Sequence, residues 1–202
     1  MSSAAAVAEL CEWGVATRNH PGERVCGDAY VISPFDGGLL VAVIDGLGHG
    51  EEAALAARVA VAAIESRAGQ RLSAIVEGCH AAMRRTRGAA LALVSITGDT
   101  LTWIGVGNVE AVLFRAAFGV RREALVPRAG VVGYQLPPLR EAQLAVGAGD
   151  LLVLASDGIS SRYAEQSPRA VQAQEAAHEV LDRHWGGVDD ALVLALRLKA
   201  PP

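Results

Sequence analysis

Four aspartates stand where apolar runs give way to turns. They are Asp28 in Cys26-Gly27-Asp28, Asp45 in Val43-Ile44-Asp45-Gly46, Asp157 in Ala155-Ser156-Asp157-Gly158, and Asp189 in Val188-Asp189-Asp190. An aspartate is short, so its oxygens sit at fixed positions relative to the backbone, and hard divalent cations take several such oxygens at once. Gly46 and Gly158 follow two of these acids and leave the backbone open to a ligand. One Asp-Gly pair alone is an ordinary turn dipeptide. Repetition points to chemistry: two apolar-run junctions ending in Asp-Gly, plus an acidic pair entering a strand. Brought within a few ångströms, carboxylates repel by roughly 4 kcal/mol per close pair at an effective dielectric of 20. Four such charges balance two divalent ions. The acids are 17, 112 and 32 residues apart along the chain, so only the fold can bring them together.

Other reactive side chains carry weaker signals. His49 stands four residues past Asp45, where an imidazole can protonate a leaving alkoxide or simply order the turn. His20, His80, His178 and His184 have no matched partners and read as surface residues. Cys26 has no base tied to it by motif and reads as a structural thiol. Gly105-Val106-Gly107 does not open a helix, so it is no dinucleotide fingerprint. Arg84, Arg85 and Arg87 form a small basic cluster that reads as a solvated face.

The elements that must position the aspartates follow from hydrophobic period and turn residues. Tyr30–Ser33 and Leu39–Ile44 read as strands around Pro34-Phe35-Asp36-Gly37-Gly38. Glu51–Arg67 is alanine-rich and reads as a helix ending near Gly69. Leu72–Arg87 is a second helix, with Leu72, Ile75, Val76, Cys79 and Met83 on one face. Ala89–Thr97, Thr100–Gly105 and Val109–Phe114 then read as a meander, followed by strands at Val120–Val126, Ala142–Val146 and Leu151–Ser156. A long helix is expected with Ser167 as N-cap, Pro168 in its first turn and Gly186-Gly187 closing it. Ala191–Leu198 is the last strand. Two helices, a run of strands, one helix and a terminal strand argue for an α+β fold with antiparallel sheets.

Composition bounds the class. The 202 residues amount to about one domain, and 51% apolar content supplies its core. A net charge of −4 and 4% aromatics offer neither a basic surface nor stacking platforms for nucleic acid. Three cysteines, Cys11, Cys26 and Cys79, fit a reducing cytosol better than a disulfide framework. Met1–Leu10 has no basic residue, and the apolar runs fall far below the ~20 residues that span a bilayer. A cytoplasmic, monomeric protein without membrane or nucleic-acid partners is expected.

The ordered set Gly27-Asp28, Asp45-Gly46-Leu47-Gly48-His49-Gly50, Gly107-Asn108, Ser156-Asp157-Gly158 and Asp189-Asp190 resembles the metal-dependent type 2C serine/threonine phosphatases. Within them it is most similar to the bacterial SpoIIE, RsbU and RsbX branch, and among these to the stressosome feedback phosphatases of the RsbX type. The likeness runs from Gly27 to Leu198. It implies an αββα sandwich holding two Mn²⁺ or Mg²⁺ ions at one end between the sheets. In family terms Asp45 bridges both ions and the Gly46 carbonyl completes one site. Asp157 and Asp189 hold the other ion, and Asp28 lies behind them or binds through water. The Asp189 side chain would be the ligand and Asp190 would face the flank, since neighbours entering a strand point to opposite faces. The implied substrates are phosphorylated STAS-domain proteins of a stressosome, dephosphorylated in negative feedback. The arginine that holds phosphate in eukaryotic relatives has only approximate counterparts in Arg18 and Arg24. The chain has little room for a substrate flap, so substrate choice would rest on partner docking. A catalytically inactive adaptor of the same fold is the alternative, and a nuclease-like metal hydrolase lacks the basic surface it would need.

Overall fold

A computed structural model describes residue 7 and residues 9–116 and 122–199. Among the described residues ten strands form two five-stranded sheets. The first sheet runs β1-β10-β9-β6-β7, with β1 at Cys11–Arg18, β6 at Glu110–Phe114, β7 at Arg122–Leu125, β9 at Leu151–Ala155 and β10 at Ala191–Leu198. The second runs β2-β3-β4-β5-β8, with β2 at Asp28–Phe35, β3 at Gly38–Gly46, β4 at Ala89–Thr97, β5 at Thr100–Val106 and β8 at Ala142–Ala145. Every strand pairing within them is antiparallel.

The central strands are apolar on both faces because both faces are covered. Leu39, Val41 and Val43 of β3 point into the space between the sheets, with Leu152, Leu154, Leu192, Leu194 and Leu196 from the other side. The alternate residues Leu40, Ala42 and Ile44 lie under two helices, α1 (Gly50–Glu65) and α2 (Leu72–Met83). The α1 contact face is built from Ala53, Ala56, Ala57, Ala60 and Ala63, whose small side chains let the helix sit close to the sheet. A third helix, α3 (Ala173–His184), covers the outer face of the first sheet with Ala176, Ala177, Val180 and Leu181. The layers are therefore helices, sheet, sheet, helix, the expected αββα sandwich. No helix among the described residues is long and apolar enough to cross a membrane.

Five points depart from expectation. Residues 89–114 are not one meander, because β6 leaves β5 for the opposite sheet. β1 had no sequence signal, yet it pairs with β10 over eight positions, from Cys11↔Leu198 to Arg18↔Ala191. The third helix starts at Ala173, not at Ser167-Pro168. Its first N–H, that of Ala173, finds a partner on β1, where Glu12 Oε1 accepts it at 2.7 Å, while Glu179 Oε2 of the helix itself holds Arg169 N and Ala170 N in a non-helical approach. Leu72–Arg87 stops at Met83, so Arg84, Arg85 and Arg87 lie beyond the helix. The Val120–Val126 strand ends at Leu125, and its residues 120 and 121 lie outside the described residues.

Candidate metal centre

Strand register brings the acids to one end of the sandwich. Asp28, the first residue of β2, lies directly opposite Asp45 near the end of β3. Asp45 continues the parity of Leu39, Val41 and Val43, so both carboxylates face the space between the sheets. From the first sheet, Asp157 follows β9 by two residues and Asp189 precedes β10 by two. Asp45 and Asp157 share a hydrogen bond between their carboxyl groups. Gly46 sits just past Asp45, its N–H donating to the Gly27 carbonyl at 3.2 Å.

Two side chains that stand in the motifs of the resemblance but outside its ligand set tie the acids in place. Ser156 Oγ donates to Asp28 Oδ2 at 2.6 Å and accepts the Leu192 N–H at 2.9 Å. Asn108 Nδ2, in the crossover from β5 to β6, donates to Asp157 Oδ2 at 2.5 Å. A signal for Ser156 was present: it shares the inward parity of Leu152 and Leu154. Asn108 carried no local signal for its partner, because that partner is 49 residues away.

The electrostatics are those of several carboxylates gathered at a partly buried sheet end. Burial first, then the charges of Asp28, Asp157 and Asp189, push the Asp45 carboxyl up to about 9. Burial pushes Asp28 up to about 7, with Asp190, Asp157 and Asp189 adding to it and the Ser156 hydroxyl opposing it. Asp157 is also raised, by burial and by Asp189, against hydrogen bonds from Asp45 and Asn108. Without cations such a cluster retains protons. Its donor set, carboxylate oxygens beside a glycine backbone, suits hard divalent ions of the Mg²⁺ or Mn²⁺ type.

The neighbours sort themselves differently from expectation. Asp190 does not face the flank: it is 3% exposed. Its Oδ1 accepts the His20 N–H at 2.8 Å, and Oδ2 is buried without a hydrogen-bonding N–H or O–H, next to Gly27 and the weak donor Cys26. The reason is the parity of β10, which carries Asp190 on the inward side with Leu192 and Leu194. Asp189 is half-buried, and its Oδ1 accepts the Asp190 N–H. His49 Nδ1 lies 2.7 Å from Glu23 Oε1, and its ring stacks on His20; as N-cap of α1 it makes no side-chain cap bond. His20 and His80 are not simple surface residues, since both are partly buried and His80 Nδ1 accepts the Gly133 N–H. Arg18 pairs with Asp182 at 2.7 Å and lies 4.8 Å over the Trp185 ring, while Arg24 is exposed. Burial and the Asp28 charge push the Cys26 thiol up to about 12, the wrong direction for a nucleophile.

Known proteins share this arrangement of elements. Residues 36–199 match the family of Stage II sporulation protein E (SpoIIE). Over 97 residues, 47% of the chain, the sequence is 33% identical to the phosphoserine phosphatase RsbX of Bacillus subtilis (strain 168), and that stretch spans only 49% of the relative's length. A chain from structural work on the bacterial stressosome, a modular system adapted to control secondary messenger signalling, superposes with a TM-score of 0.85 at 32% identity, over 93% of this chain and 99% of that one. RsbX in complex with magnesium superposes with a TM-score of 0.80 at 23% identity, over 95% of this chain and 96% of the other.

Proposed function

Since the chain belongs to the SpoIIE family of type 2C phosphatases, we propose that it hydrolyses phosphoserine or phosphothreonine on a regulatory protein with the help of bound Mn²⁺ or Mg²⁺. The observation that carries the reading is that Asp28, Asp45, Asp157 and Asp189, contributed by both sheets, act electrostatically on one another at one end of the sandwich. In this reading Asp45, the Gly46 carbonyl, Asp157 and Asp189 hold two ions, and Asp28 supports them from behind or through a water. Divalent ions so held supply Lewis-acid polarisation of the phosphoryl group and a water acidified to near neutral pH. Ser156 and Asn108 keep the Asp28 and Asp157 carboxylates aimed inward. His49, held at Nδ1 by Glu23, keeps its other ring nitrogen for the proton that a leaving alkoxide needs.

The substrates we propose are phosphorylated STAS-domain proteins of a stressosome, with the enzyme acting as their negative-feedback element in the cytoplasm. Likeness to RsbX and to the stressosome chain supports this, as do three free cysteines. In the same reading residues 1–202 act as one catalytic domain and as a monomer. The test is phosphate release from p-nitrophenyl phosphate and from phosphorylated STAS-domain proteins of the same genome, with Mn²⁺ and then with EDTA. Turnover with Mn²⁺ that EDTA abolishes is expected. Undiminished turnover in EDTA, or none with any divalent ion, overturns the enzyme reading; hydrolysis of the small ester alone overturns the substrate assignment.

A further inference from the structure

We propose that His20, Glu23 and His49 form a second metal site, separate from the aspartates and suited to an ion of the zinc class. One donor atom from each residue lies within 4.8 Å of the others. Two of the three are set by a tight turn, His20-Pro21-Gly22-Glu23, closed by a 3.0 Å hydrogen bond from Glu23 N to the His20 carbonyl. Pro21 fixes its own φ, and Gly22 takes φ +92, which a residue with a side chain rarely adopts. The turn therefore holds the His20 and Glu23 side chains together whether or not an ion is bound. A hydrogen bond from His20 N to Asp190 Oδ1 anchors it to the sheet ends.

His49 arrives from the start of α1. Its ring stacks on His20 with centroids 4.0 Å apart and planes 13° from parallel, and its Nδ1 meets Glu23 Oε1 at 2.7 Å. The Glu23 carboxylate occupies a seat that glycine provides: a Cβ on Gly50 would stand 2.9 Å from Glu23 Cδ. His20 Nδ1 is buried with no hydrogen-bond partner, so the ring keeps a polar atom that the protein leaves unsatisfied.

The donor set decides the ion. Two imidazoles and one carboxylate are the ligands of three-residue zinc sites, which leave a fourth position for water. Imidazole favours zinc, copper or nickel, whereas magnesium and calcium favour the all-oxygen aspartate cluster. Tetrahedral zinc places its donors about 3.3 Å apart, so three atoms that all lie within 4.8 Å of one another need only a small rearrangement. The half-exposed His49 can rotate to supply it while the turn holds the other two.

The experiment is a Zn²⁺ titration against a chromogenic chelator in excess Mg²⁺, together with the visible spectrum of the Co²⁺ adduct. One tightly held Zn²⁺ per chain and the intense bands of four-coordinate Co²⁺ are expected. Glu23→Gln and His20→Asn should each weaken Zn²⁺ binding by roughly tenfold or more, while Asp45→Asn leaves it unchanged. Failure to retain Zn²⁺ in Mg²⁺, or loss of the ion on Asp45→Asn with Glu23→Gln unaffected, overturns the proposal. Should a variant fail to fold, the Co²⁺ spectrum of the unaltered chain still decides, because weak six-coordinate bands exclude the site. Failure here leaves the phosphatase reading untouched, since neither measurement follows turnover.

Discussion

Ser156 Oγ donates a 2.6 Å hydrogen bond to Asp28 Oδ2, joining the residue after β9 in one sheet to the first residue of β2 in the other. The same oxygen accepts the Leu192 N–H at 2.9 Å, so one hydroxyl serves both sheets at the mouth of the acidic cluster. Ser156→Ala removes both bonds and leaves a buried N–H without its acceptor. It should cost about 1–3 kcal/mol of stability. Asp28 also loses the one hydrogen bond that opposes its raised protonation, so Mn²⁺ binding weakens as well. Denaturant melts and Mn²⁺ isotherms on the two proteins check this. A variant as stable and as tight-binding as the parent refutes the bridging role.

Asp189 and Asp190 separate a ligand from a buried support. Asp189→Asn should lower phosphatase turnover by roughly 10²-fold, equivalent to about 2.7 kcal/mol of transition-state stabilisation. Asp190→Asn keeps a side-chain oxygen for the His20 N–H and removes a buried charge that raises Asp28. The metal-free fold should be as stable as the parent or more so, with turnover within about tenfold of it. Kinetics at saturating Mn²⁺ and melts in EDTA measure both effects. The reverse order of damage would move the ligand from Asp189 to Asp190.

The strands most easily read from sequence are those whose burial does not depend on a distant choice. β4 is apolar from Ala89 to Val94 and β10 from Ala191 to Leu196, and both span the residues that periodicity gives. β1 was hidden because Cys11–Arg18 is apolar on neither a period of two nor 3.6; it is a strand because β10 offers it eight partners. The start of α3 was misread for a related reason: Ser167-Pro168 satisfies the local capping rule, but Glu12 supplies the partner for Ala173 N from across the fold. At the site, the aspartates were legible because a carboxylate ending an apolar run is unusual. Asn108 and the inward turn of Asp190 were not, since each is defined by a partner more than 40 residues away.

Protonation of the empty cluster gives a pH dependence with a definite sign. Asp45 and Asp28 are raised to about 9 and about 7 from an ordinary value of 3.8, chiefly by burial. The folded chain therefore binds more protons than the unfolded one between these limits, and its stability falls as pH rises. The contribution is fully present below pH 3.8 and is lost as pH passes through about 7 and about 9. In EDTA the melting temperature should decline from pH 5.5 to 9 on this account. Mg²⁺ or Mn²⁺ needs the deprotonated carboxylates, so the stabilisation by added ion should grow over the same interval. Melts at several pH values, with and without ion, provide the comparison. An ion effect that shrinks with rising pH contradicts the cluster's assignment as a cation site.

Gly46→Ala tests whether the backbone beside Asp45 must be bare. Gly46 has no unusual φ, so the requirement is one of space: a Cβ there would stand 2.2 Å from the Ala53 carbonyl oxygen in the first turn of α1. Real atoms do not approach so closely, and the obstacle is backbone, not a side chain that can swing aside. The added methyl must push α1 away from β3, against the packing of Ala56, Ala57 and Ala60 on the sheet. Overpacking of this kind costs about 1–3 kcal/mol. Because Asp45 precedes Gly46 directly, the displacement also moves a carboxylate of the cluster, and Mn²⁺ affinity should fall with stability. Adding Ala53→Gly should not rescue the variant, since that change leaves the obstructing carbonyl in place. Rescue by Ala53→Gly would show that side-chain packing, not close approach of the helix backbone, dictates glycine at this position.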